Sequence, residues 1–185
     1  WSHDSFIQSL FQSLAILTGT GYSNADYELW PYLSQHLLLI LMFFGAMGGS
    51  TSGGMKIARI ILLIKHAKTE IRRMLHARAI ITIKIGNRTI SDEIVRNTLG
   101  FSMIYISIFI LTALALSIFN LDFQSAVSAA ASAIGNVGPA FGEFGPTDNY
   151  ALLHPAGKWM LTFCMLLGRL EIFTVMVLFS RIFWK

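Results

Sequence analysis

The sequence predicts an all-helical membrane protein made of two related units, each a short helix, a glycine turn and a returning helix. Three observations predict it. Hydrophobic residues make up 54% of the 185 and charged residues 13%, which is too apolar for an ordinary soluble domain. Residues 97–119 carry no charge over a length that crosses a hydrocarbon layer of roughly 30 Å. A shift of 117 residues lays Phe6 on Phe123 and Gly21 on Gly138, so the chain repeats itself.

Taken in order, residues 4–18 are an apolar stretch too short to span, ending in LTGTGYS at 17–23. They read as a re-entrant helix, although the heptapeptide alone also fits an ordinary helix end. Residues 31–47, PYLSQHLLLILMFFGAM, predict a helix that breaks at GGSTSGG, 48–54, and resumes as MKIARIILLIKHA. Such a break at membrane depth is tolerated only where protein covers it or water reaches it. An isolated kink would satisfy the local pattern, but seven Gly, Ser and Thr residues in succession exceed what a kink requires. Residues 77–91 alternate apolar and polar side chains around Gly86-Asn87, the signal for a small hairpin. Residues 97–119 predict a full span, 122–135 a second re-entrant helix, and 155–184 a span interrupted at GRLE.

The charges orient these elements. Ten of the fourteen Lys and Arg residues fall between Lys56 and Arg96, whereas Asp4, Asp26, Glu28, Asp122, Glu143 and Asp148 lie outside that block. The basic block is therefore expected on the cytoplasmic side of a multi-pass protein. No aromatic residues interleave it, which argues against nucleic acid, and a glycosylation sequon at Asn87 on that side reads as accidental. The chain opens at Trp1 without a signal-peptide pattern, and is expected to be mature, trimmed or a fragment. Cys164 is the single cysteine and the five histidines show no ligand spacing, so neither a disulfide framework nor metal catalysis is expected. His36 and His154 are expected near the outer interface. GGSTSGGMK approaches a phosphate loop, but Met55 stands where Lys is required, Lys56 comes one place late, and Ile57 then follows it where the hydroxyl residue would be. No nucleophile elbow or dinucleotide fingerprint occurs, and no enzyme activity or resident cofactor is expected.

Beyond the first turn the repeat shift becomes 123, placing LILMFFGAM over TFCMLLGRL and Gly45 over Gly168. The order of span, re-entrant helix, extended turn and span describes a pore-loop unit. A cation entering a membrane must exchange its water for other oxygens, and backbone carbonyls of a non-helical turn supply them. Glycine dihedrals aim those carbonyls, and the helix before the turn points its negative end at the same place.

Three stretches then resemble one family: TGTGYSNADYELWP at 18–31, GAMGGSTSGGMKIARI at 45–60, and GNVGPAFGEFGPT with MLLGRLEIFTVMVLF at 135–147 and 165–179. They resemble the carboxy-terminal half of Trk-type potassium uptake proteins, in the superfamily with Ktr and plant HKT transporters. The resemblance implies four non-identical pore-loop repeats around one path. Residues 1–66 would be the third repeat without its first helix, 67–96 a cytoplasmic basic loop and 97–185 the fourth repeat. Gly19, Thr20, Gly21 and Tyr22, with Asn136, Val137, Gly138 and Pro139, would be two quarters of a potassium selectivity filter. Gly48, Gly49, Ser50, Thr51, Ser52, Gly53 and Gly54 would be an intramembrane gating loop, with Lys56 anchoring its cytoplasmic edge.

Arg169 is costly near mid-membrane, about 2.5–3.5 kcal/mol on the lenient insertion scale, and Glu171 is two positions on and off its helix face. It is expected below the filter as an electrostatic barrier, the alternative being an ion pair elsewhere in the fold. The resemblance further implies a homodimer in the cytoplasmic membrane, an amino-terminal half of the same protein, and a nucleotide-binding regulatory subunit of the TrkA type. The rival readings are a broken-helix secondary transporter of another class, against which both units run in one direction, and a membrane-embedded enzyme, for which no convergent residue set is found.

Overall fold

A computed structural model describes residues 3–45, 53–76, 82–86, 88–170, 172–178 and 183–184. Seven helices follow one another: α1 His3–Thr18, α2 Tyr32–Met42, α3 Ile57–Leu75, α4 Asp92–Ser117, α5 Phe123–Gly135, α6 Pro155–Arg169 and α7 Ile172–Leu178. Two pairs of two-residue strands interrupt them: β1 Phe44–Gly45 pairs in parallel with β2 Met55–Lys56, and β3 Lys84–Ile85 pairs antiparallel with β4 Arg88–Thr89. The hairpin expected around Gly86-Asn87 is thus present in its described residues, with Gly86 at φ +59° supplying the left-handed turn conformation.

The repeat is visible in the helix boundaries. The 117-residue shift carries Thr18, the last residue of α1, onto Gly135, the last of α5. The 123-residue shift carries Tyr32 onto Pro155, the first residues of α2 and α6. Local chemistry sets these ends. Asp122 N-caps α5 by accepting from Gln124 N at 3.1 Å, and His154 Nδ1 caps α6 through Ala156 N at 3.2 Å with Pro155 at the first helical position. Gly19 at φ +69° ends α1, and Asn136 at φ 54°, ψ 39° ends α5 in the left-handed conformation that closes a helix.

Two expectations change. The helix at 31–47 ends at Met42, because the Phe43 carbonyl accepts from Met55 N at 3.0 Å and the chain leaves as β1. A strand bridge therefore flanks the Gly/Ser run on both sides, and Gly45 lies in a strand while its repeat mate Gly168 lies in α6. The helix that carries the uncharged stretch begins before residue 97, at Asp92, whose carboxylate and that of Glu93 sit in the favourable first turn of α4. Among the described residues α4 is the one helix long and apolar enough to cross a membrane, with a mean hydropathy of 2.2 in its best window.

α5 occupies the centre, packed between α4 and α6, and nearly every residue from Ser125 to Gly135 is buried. Its run of Ala126, Ala129, Ala130 and Ala133 lets neighbouring backbones approach closely, and the core around it takes in Phe101, Leu116, Leu161, Cys164 and Ile172. A second cluster joins the units, with Ile16, Tyr27, Leu38 and Met42 of the first against Ala131, Val137 and Phe141 of the second. A third, Leu62, Ile83 and Val95, seats the hairpin region on α3 and α4.

Candidate permeation site

Both re-entrant helices end in turns whose N–H groups fold back while their carbonyls do not. In the first turn Gly19 N donates to Ile16 O at 3.1 Å, and Thr20 N and Gly21 N donate to Ala15 O at 3.0 and 3.3 Å. Thr20 Oγ1 adds a bond to the same carbonyl at 3.2 Å. In the second turn Asn136 N donates to Ala133 O at 3.1 Å and Val137 N to Ser132 O at 3.0 Å. Among the described residues the carbonyls of Gly19, Thr20, Gly21 and Tyr22, and of Asn136, Val137 and Pro139, accept no hydrogen bond. Backbone oxygens in such number must meet water or a cation. Gly138 differs: its carbonyl accepts from Tyr150 Oη at 3.0 Å. Burial pushes the Tyr150 phenol up to about 12, so it stays a donor at neutral pH.

The turns touch. Gly21, at φ +69°, lies against Val137 O and the Pro139 ring with no room for a Cβ. Gly138, at φ +115°, has open space where a Cβ would stand. Tyr22 is 73% exposed, whereas Val137 is buried in the cluster that joins the units.

The segment leaving the second turn is held on both sides. Three buried serines of α5, at helical spacing, bind it: Ser132 Oγ accepts from Gly138 N at 3.0 Å, Ser128 Oγ from Phe141 N at 3.0 Å, and Ser125 Oγ from Glu143 N at 2.9 Å. Ser128 Oγ also donates to Phe141 O at 3.1 Å. From the other side Tyr27, fully buried, donates its hydroxyl to Ala140 O at 2.7 Å, and Glu28 Oε1 accepts from Gly142 N at 2.6 Å. Burial raises the Glu28 carboxyl above its ordinary value; the Gly142 bond opposes this, and Asp26 and Asp148 add to it.

Below the second turn, glycines let four backbones converge. Gly135 faces Met42 O, and Gly168 faces Ile134 O. A Cβ on Gly53 would begin 2.7 Å from Asn136 Nδ2 and 2.8 Å from Gly135 O. Asn136 Nδ2 in turn donates to Met165 O at 2.9 Å, tying the turn to α6. Gly53 is thus brought against Asn136, while Gly54, at φ +77°, lies against Phe43 O and Gly45. Gly48, Gly49, Ser50, Thr51 and Ser52 lie outside the described residues, as does Glu171. Lys56 closes β2 and precedes α3. Arg169 is exposed at the end of α6, next to Gly168 at this junction, and pairs with no acid among the described residues.

Sequence reading missed Tyr27, Glu28 and the α5 serines. The spacing of Ser125, Ser128 and Ser132 on one face of an otherwise alanine-rich helix is the signal that was available.

Residues 2–184 match the family model described as TrkH, a cation transport protein. The chain is 40% identical to the Trk system potassium uptake protein TrkI of Halomonas elongata over 98% of its length, covering 37% of that protein. It is 37% identical to the Trk system potassium uptake protein TrkH of Escherichia coli, covering 96% of this chain and 36% of that one. The crystal structure of the potassium transporter TrkH from Vibrio parahaemolyticus superposes with a TM-score of 0.89 at 38% identity, over 99% of this chain and 39% of that one. The chain spans somewhat more than a third of the length of these relatives. On this agreement of sequence and fold, the chain belongs to the TrkH family of cation transport proteins.

Proposed function

We propose that this chain supplies two of the four walls of a potassium-conducting pore in a cytoplasmic membrane, the other two coming from an amino-terminal half. The observation that carries the proposal is the pair of touching turns whose carbonyls accept no bond among the described residues. Carbonyl oxygens replace the hydration shell of a cation, and each turn follows a helix C-terminus whose dipole favours positive charge. The filter residues are Gly19, Thr20, Gly21 and Tyr22 with Asn136, Val137, Gly138 and Pro139. The two walls differ, since Gly138 O is engaged by Tyr150, so the pore is not four-fold symmetric. The names of the relatives supply the ion.

The stretch 48–54 serves as the gate; it joins β1 to β2 in sequence, and of its described residues Gly53 lies against Asn136. Arg169 stands at the same level and opposes cation passage. The functional unit is a homodimer that binds a nucleotide-sensing regulatory subunit of the TrkA type on its basic cytoplasmic side, where α3 and the 67–96 loop carry the positive charge.

The test is potassium-limited growth of uptake-deficient bacteria carrying the complete protein. Gly21→Ser, which places a Cβ against Val137 O at a left-handed φ, is expected to abolish growth at low potassium while inserted protein remains detectable. Growth equal to wild type would overturn the filter assignment. Arg169→Ala is expected to raise potassium flux in the same protein, and a flux at or below wild type would remove Arg169 from the gate.

A further inference from the structure

The segment 137–142 is gripped by the first unit at three successive points. Gly21 abuts Val137 and Pro139, Tyr27 Oη reaches Ala140 O, and Glu28 Oε1 reaches Gly142 N. The two hydrogen bonds join residues 113 and 114 positions apart, so they fix the relation between walls and not the shape of either. Gly142 adopts φ +72° and Gly145 lies against the Glu28 carboxylate, where a Cβ would stand 2.6 Å from Oε2. The carboxylate is therefore held by the Gly142 N–H on one side and admitted closely by Gly145 on the other, while the missing Cβ of Gly142 makes room for Ser125. Its own loop is anchored in turn: Asp26 Oδ1 accepts from Glu28 N at 3.0 Å, and buried Gln35 of α2 donates to Glu28 O at 2.7 Å and to Trp30 O at 2.9 Å. Tyr27 packs edge-on to Phe141, with ring centroids 4.9 Å apart.

We propose that Glu28, with Tyr27, is a positioning residue for ion selection, a clamp from the first filter wall that sets where the Val137 and Gly138 carbonyls stand relative to Gly21. Glu28 touches no ion. It acts through a bond to the backbone of the adjoining wall, which in the ionised carboxylate is charge-assisted and about twice as strong as a neutral one. A carbonyl cage discriminates ions by the spacing and freedom of its oxygens, so loosening one wall alters the choice between cations more than the rate of passage. The inference rests on the pore reading above.

The experiment measures potassium and sodium flux through the complete protein in vesicles. Glu28→Ala is expected to lower the potassium-to-sodium flux ratio about tenfold, the change that ~1.4 kcal/mol converts to, with the potassium rate falling less. Glu28→Gln, which retains an acceptor oxygen without the charge, is expected to lose part of that ratio. Tyr27→Phe, which removes the bond to Ala140 O alone, is expected to lose part as well and carries the test should Glu28→Ala not fold. Glu143→Gln, at an exposed outer acid that does not act on Glu28, separates the clamp from an outer surface charge, since removing a solvated charge scales both fluxes together. Folded Glu28 and Tyr27 variants that keep the wild-type ratio, or that scale both fluxes as Glu143→Gln does, would overturn the clamp. Gly21→Ser marks the other failure: unchanged uptake there sinks the pore reading, whereas lost uptake with an intact ratio in Glu28→Ala sinks the clamp alone.

Discussion

At the scale of single residues, conformation and charge are set by what faces each group across the unit boundary. Gly21 and Gly138 occupy matching places, yet a side chain meets Val137 O at the first and open space at the second. Gly138→Ala therefore adds only backbone strain, on the order of 1–3 kcal/mol, and is expected to leave an inserted protein with reduced uptake, where Gly21→Ser leaves none. Potassium-limited growth of the two variants side by side checks the order. Glu28 carries a second expectation. Burial raises its carboxyl in the folded protein above the ordinary value of about 4.3. The folded state then holds the proton where the unfolded chain has released it, so stability falls as pH rises through that window. Relative to Glu28→Gln, the wild type is expected to lose thermal stability on going from about pH 4 to about pH 7. Parallel unfolding midpoints of the two proteins across that range would exclude it.

At the scale of elements, α5 is both the helix that leads into the second turn and the bracket for the segment that leaves it. Ser128 illustrates the bracket, since it satisfies both the N–H and the C=O of Phe141. Ser128→Ala leaves two buried backbone groups unpaired, about 1–3 kcal/mol for each, whereas Ser107→Ala removes an exposed hydroxyl that only bonds its own helix. The unfolding midpoint is expected to drop for the first and to stay within error for the second. The same element shows what was legible beforehand. The ends of α1 and α5 were, because Gly19 and the Gly135-Asn136 pair are local stop signals. The end of α2 was not, because it depends on Met55 N capturing the Phe43 carbonyl from beyond the Gly/Ser stretch. What the serines of α5 bind depends on the segment 138–143 lying beside them, which no local pattern gives, and Glu28 read as one more outer acid.

At the scale of the molecule, the two units are unequal in how well they are covered. α5 is enclosed by α4 and α6, whereas α1 exposes Phe6, Ile7, Leu10, Phe11 and Leu14 along its length. The hydrophobic cost of that face, about 25 cal/mol for each Å² left in water, fits a unit that is completed by lipid or by further chain. In the proposed four-wall pore two turns line only half a circumference, and among the described residues the carbonyls that accept nothing meet no opposing set. The proposed pore then has a property that either half lacks. Expressed alone in uptake-deficient bacteria, residues 1–185 are expected to give no potassium-limited growth, and co-expression with the amino-terminal half of the complete protein is expected to restore it. Gly21→Ser in the co-expressed chain is expected to cancel the rescue. Growth from the chain alone would mean that two walls suffice, or that copies of this chain close the ring among themselves, and the four-wall reading would fall.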